Sequence, residues 1–270
     1  MFLLLPRVVF SNLHENMSKR FSTRARDPRK NRLRWTLALI AGLWIASDIG
    51  YYFVLPALDQ KSNYNDGPIA ITLYYIFWVG ISVITFWPVY ASWPRYARWA
   101  TFENRLSSFA VWTLAFAGAV LFAAYVLPSL PPFNWRETWD PPELPLATPW
   151  YFLPKSIEIL FQQLLVVALV LTLSAEKFSL RKMSIYCAVL FGGTHALLAF
   201  GGVPWGYVTR FATLAAIFGL AVPYLILRVP NGFAYSYVTH WGYYAVTVVM
   251  AREFGPGTIL EHVKQLFGGS

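Results

Sequence analysis

Five side chains in the second half of this chain could do chemistry together: Glu158, His195 and His240, with Gln162 and Tyr244 each four residues beyond an acid or a histidine. Spacing of four puts Gln162 on the helical face of Glu158 and Tyr244 on that of His240, and His195 follows Phe191 by the same interval. All lie in long apolar runs, where a titratable group costs several kcal/mol unless it faces the bundle interior. Their positions on three separate runs imply that the polar faces converge in one buried pocket. A carboxylate and two imidazoles in such a pocket can exchange protons, share interhelical hydrogen bonds or bind a divalent metal, since His2Glu is a catalytic zinc set. No HExxH-type spacing supports the metal, and no haem or other cofactor is expected. A transporter would need broken helices, for which Pro223 alone is thin support. Asp48, Lys155 and Arg210 lie near the ends of their runs and are expected to reach the membrane interface.

The elements that position these groups are read from hydropathy. Hydrophobic residues make up 57% of the 270, and charged ones 13%, against roughly 45 to 50% and 25% in soluble domains. Apolar runs predict an all-α polytopic membrane bundle of about seven helices near 35–56, 68–93, 106–128, 149–174, 183–203, 208–228 and 232–251. Basic loops at 94–105, 175–182 and 228–231 belong on the cytoplasmic side, and the acidic or balanced loops at 57–67 and 129–148 outside. Most of the net charge of +9 collects in the 1–34 segment, where nine Lys and Arg precede Trp35 against only Glu15 and Asp27. Ending at a hydrophobic helix, that run fits anionic lipid headgroups and a cytoplasmic N-terminus better than nucleic acid. The opening MFLLLPRVVF is too short for a signal-peptide core, so the first membrane helix is the expected anchor, and Met17 is a second candidate start.

The organisation that follows is a basic segment at 1–34, three helices over 35–128, a Pro- and Trp-rich outer loop at 129–148, a four-helix core at 149–252 and a tail at 253–270. The loop contains Trp135 and Trp139 and suits an interfacial linker more than a lid. The tail places Ile259, Leu260, Val263, Leu266 and Phe267 on one face of a short surface helix. Cys187, the single cysteine, reads as a small core residue.

SIEILFQQLL, LFGGTHALLAF and THWGYYAV together resemble the three core motifs of the CAAX-protease and bacteriocin-processing (CPBP) glutamic intramembrane proteases. The resemblance covers about 150–250 and preserves the motif order. It implies that Glu158 and His195 activate water while His240 and Tyr244 stabilise the oxyanion, with Gln162 and Phe191 supporting. A carboxylate removed from water becomes a stronger base, which suits that role. Two departures stand out: Ile157 replaces the first family Glu, and Gln162 replaces an Arg. The implied function is an intramembrane peptidase of a bacterial inner membrane, acting on membrane-associated protein or peptide. The alternatives are a catalytically silent scaffold on the same core and, further off, a metal-dependent membrane hydrolase.

Overall fold

Runs this apolar must satisfy their own backbone hydrogen bonds, and they do so as helices. The computed structural model describes residues 28–60, 63–93, 102–133, 143–196, 199 and 205–254, among which there is no strand. Most of the basic segment, the central Trp-bearing part of the 129–148 loop and the tail beyond 254 lie outside the described residues.

Helix α1, Pro28–Ile49, continues through a π turn at Gly50–Val54 into Leu55–Ala57. Helix α2 is Pro68–Tyr90. Helix α3, Phe102–Leu121, ends as α1 does, with a π turn at Phe122–Val126 followed by Leu127–Ser129. In both cases a Val-Leu-Pro triplet closes the π turn. Proline removes a donor and crowds the carbonyl four residues back, and a wider turn relieves both. At α1 the Tyr74 hydroxyl donates to the Ser47 carbonyl at 2.5 Å, supplying a partner where the helix widens.

A 3-10 turn at Pro149–Tyr151 leads into α4, Phe152–Ala175, followed by α5, Leu180–Ala196, α6, Trp205–Arg228, and α7, Gly232–Phe254. Among the described residues, five helical stretches are long and apolar enough to cross a membrane: Leu33–Ala57, Pro68–Tyr90, Leu106–Ser129, Pro149–Ala175 and Trp205–Arg228. The chain is a helical membrane protein on that ground. The two helices outside this set are α5, only 17 residues long, and α7, which carries Ser236, His240 and Arg252.

Helix α4 is the hub. It packs against α1, α2, α5, α6 and α7, and 67% of its most apolar window is buried, against 6% for α3. Its run Leu164–Leu173 is buried all round, as an apolar helix without a polar face must be. Around it lie two core clusters. One collects Tyr51, Tyr64, Tyr75, Tyr151 and Phe161, and the other collects Met183, Cys187, Phe191 and Val222. Helices α5 and α6 approach closely because Gly219 has no side chain: a Cβ there would lie 2.6 Å from the Cys187 carbonyl oxygen. The turn into α7 uses Asn231 at φ 58 and Gly232, whose Cβ would overlap the Leu225 carbonyl.

One end of the bundle is tied together by its loops. Arg252 Nη2 donates to the Ala147 carbonyl at 2.6 Å and Nε to that of Pro145 at 3.1 Å. The Tyr64 amide donates to Glu143 Oε2 at 2.9 Å, and the Thr148 amide to Asn65 Oδ1 at 2.7 Å. Residues 63–67 and 143–148 thus form one layer across this end.

Candidate functional site

On α4, Lys155, Glu158 and Gln162 fall at i, i+3 and i+7, a single stripe. Lys155 Nζ donates to Glu158 Oε2 at 2.6 Å, with both side chains nearly buried. Gln162 Nε2 donates to the other oxygen, Oε1, at 2.8 Å. From the loop layer, the Tyr64 hydroxyl donates to Oε2 at 2.7 Å, and the Tyr75 hydroxyl lies 3.0 Å from that of Tyr64. Lys155 also sits over two rings, 4.3 Å from the centroid of Tyr244 and 5.1 Å from that of Tyr64. The charge is therefore neutralised by one carboxylate and flanked by ring faces, as a desolvated ammonium requires. Lys155, expected at the interface, is 8% exposed and belongs to the site.

A second network joins α4 to α7. Ser236, His240 and Tyr244 form a stripe at intervals of four on α7. Buried Gln163 accepts the Ser236 hydroxyl on Oε1 at 2.7 Å and places its Nε2 3.0 Å from His240 Nδ1. With the amide oriented this way, His240 Nδ1 accepts and Nε2 carries the proton; the tautomer is assigned from the hydrogen-bond network. On the neighbouring face of α4, Ser156 accepts from Tyr237 at its carbonyl and from Trp241 at its hydroxyl, both at 3.0 Å.

His195 has the opposite polarity. Its Nδ1 lies 2.8 Å from the Phe191 carbonyl one turn earlier. A carbonyl only accepts, so Nδ1 carries the proton and Nε2 of the neutral ring presents a lone pair. The ring stacks on Phe211 at 6.4 Å. Phe191 is buried, with its ring 6.5 Å from that of His240.

Tyr244 joins the two networks. Its ring stacks on His240 at 5.5 Å and 28° while its face receives Lys155. Of the six residues singled out from the sequence, Glu158 bonds Gln162, and His240 stacks on Tyr244 and lies near Phe191; His195 contacts Phe191 and Phe211. Among the described residues no hydrogen bond joins Glu158 to either histidine, and no group of three or more His, Cys, Asp and Glu side chains is placed to hold a metal ion.

The chain matches no protein-family model, no curated protein and no solved structure.

Sequence reasoning missed Lys155, Gln163, Ser236, Tyr64 and Glu143. For Gln163 and Ser236 a signal existed: Ser236 stands four residues before His240, and Gln163 heads the α4 face turned toward α7. Tyr64 and Glu143 sit in loops 79 residues apart, and nothing local in the sequence brings them together.

Proposed function

We propose that the chain is a membrane-embedded peptidase with a CPBP-like core, hydrolysing peptide bonds of membrane-associated substrates. The observation that supports it best is the opposite polarity of the two histidines, of which His240 stacks on the Tyr244 ring that receives Lys155. His195 Nε2, with a lone pair, can take a proton from water. His240 Nε2–H can donate to the oxygen that becomes an anion when the carbonyl is attacked. The water oxygen forms a bond to the carbonyl carbon, and the proton it gives up is returned to the departing amine as the C–N bond breaks. Glu158 holds and polarises that water once one of the donors on Oε2 leaves. Tyr244 fixes the His240 ring, and Lys155 supplies a cation that the Gln162 position does not.

On this reading all seven helices span an inner membrane of bacterial type. The basic N-terminus is cytoplasmic, against anionic headgroups, and the loop layer of 63–67 and 143–148 faces outward. A second reading, a catalytically silent scaffold, is favoured by one observation: both oxygens of Glu158 already have donors.

The test is cleavage of a panel of membrane-anchored peptides by purified wild type, Glu158→Gln and His195→Ala, with and without chelator. The expected result is a loss of at least about 100-fold in both variants, indifferent to chelator. Folded wild type that cleaves none of the panel would favour the scaffold, and chelator sensitivity would favour a metal-dependent hydrolase.

A further inference from the structure

The position of Tyr64 has a consequence for any chemistry at Glu158. Its hydroxyl oxygen lies 2.7 Å from Glu158 Oε2, the place and distance that an attacking water held by that carboxylate would take. Tyr64 is part of the core cluster but of no helix: it comes from the loop before α2 and reaches inward until only 6% of it is exposed. Besides its hydroxyl contacts with Glu158 and Tyr75 and its ring contact with Tyr151, a set of loop-to-loop bonds keeps it there. Glu143 Oε2 accepts the Tyr64 amide at 2.9 Å and Oε1 lies 3.4 Å from the Tyr51 hydroxyl. One residue on, Asn65 Oδ1 accepts the Thr148 amide, and Asn63 Oδ1 accepts the Asn65 amide at 2.8 Å, shaping the turn. Leu144 and Ala147, 5% and 1% exposed, anchor the other strip of the layer in the core.

We propose that residues 63–67 and 143–148 form a lid on the Glu158 centre, with Tyr64 as a plug in the water position and Glu143 as the latch. The lid rests on the peptidase reading only for what it admits. The closed state is the inactive one, in which Oε2 is shared by Lys155 and Tyr64. Opening withdraws the Tyr64 hydroxyl, leaves Oε2 able to accept from water beside Lys155, and uncovers the side of Lys155 that faces Tyr64. Glu143 is the tie between Tyr64 and the facing loop, so its loss loosens the layer, while opening also parts the Tyr64 hydroxyl from Glu158 and Tyr75 and its ring from Tyr151.

Backbone hydrogen exchange on the full chain in lipid nanodiscs tests the latch without any substrate. In Glu143→Ala, amides of 63–67 and 143–148 are expected to exchange at least about tenfold faster than in wild type, with the α4 and α7 amides unchanged. Exchange at wild-type rates in both loops would overturn the latch, and equal acceleration through α4 and α7 would show general unfolding and overturn it as well. The plug is tested by Tyr64→Phe, which keeps the ring and removes the hydroxyl. Basal cleavage is expected to rise at least about threefold, whereas a fall would mean that the hydroxyl takes part in the chemistry and would overturn the plug. A reducible bridge between Asn65→Cys and Thr148→Cys, in a Cys187→Ala background, is expected to stop cleavage until it is reduced; cleavage at the unbridged rate would sink the lid. If wild type cleaves no peptide, the peptidase reading fails on its own terms and the exchange result still decides the lid.

Discussion

Lys155 and Glu158 are the residues on which most of the site depends, and the physics of buried pairs sets what their loss should do. Removing one partner leaves a bare charge in apolar surroundings, which costs about 3 to 5 kcal/mol, whereas replacing both by apolar groups is often neutral. Lys155→Met is therefore expected to lower the thermal unfolding midpoint sharply, and Lys155→Met with Glu158→Leu to recover most of the loss; unfolding scans in detergent check this. A single substitution as mild as the double one would show that the pair is well solvated. The sequence made Glu158 legible, because an acid nearly three turns into an apolar run has few innocent explanations. It misdirected on Lys155, because a lysine near a helix start ordinarily reaches water along its own stem. What holds Lys155 inward is Glu158 one turn on and the ring of Tyr244, which comes from a helix some 90 residues away in the chain. Ile157, the residue before Glu158, packs against the core.

Helix positions were readable because the apolar runs have the length a bilayer demands: 68–93 is expected and Pro68–Tyr90 found, 208–228 is expected and Trp205–Arg228 found. The π turns were not readable, since an extra residue in one turn barely disturbs the hydropathy of a helix that is apolar on most sides. The tight α5–α6 contact was likewise hidden, for a glycine in a membrane helix can mark close packing or nothing at all. Here Gly219 marks packing, as its missing Cβ would lie 2.7 Å from Ala188 as well as 2.6 Å from Cys187. Both neighbours are backbone atoms, so they cannot swing aside. Gly219→Val is expected to destabilise by about 1 to 3 kcal/mol, while the same change at Gly193, where a Cβ meets nothing within 4 Å, should cost much less; paired unfolding measurements decide it.

For the molecule as a whole, the loop layer links the site to its surroundings. Burial pushes the Glu143 carboxyl above its ordinary value of 4.5, against the opposing pull of the Tyr64 amide, Lys155 and Tyr51; Glu158 adds to the rise. Arg252 stands nearby but spends its donors on carbonyls of the same loop. An acid that holds its proton more tightly in the closed layer than in water favours closure when protonated. The sign follows: the layer is tightest below the ordinary glutamate range and loosens as pH rises and Glu143 ionises. Exchange of the 63–67 amides, corrected for its intrinsic pH dependence, is expected to accelerate in wild type as pH rises above that range toward the raised value of the closed layer, and to stay flat in Glu143→Gln. The same arrangement bears on how the protein enters the bilayer. Lys155 and Glu158 are three residues apart on one helix, so α4 can leave the insertion machinery with its two charges already cancelling, needing no other helix to neutralise them. The tyrosines and histidines thus gather around a pair whose charges balance within α4 itself, the helix with the largest buried share among the candidate spans.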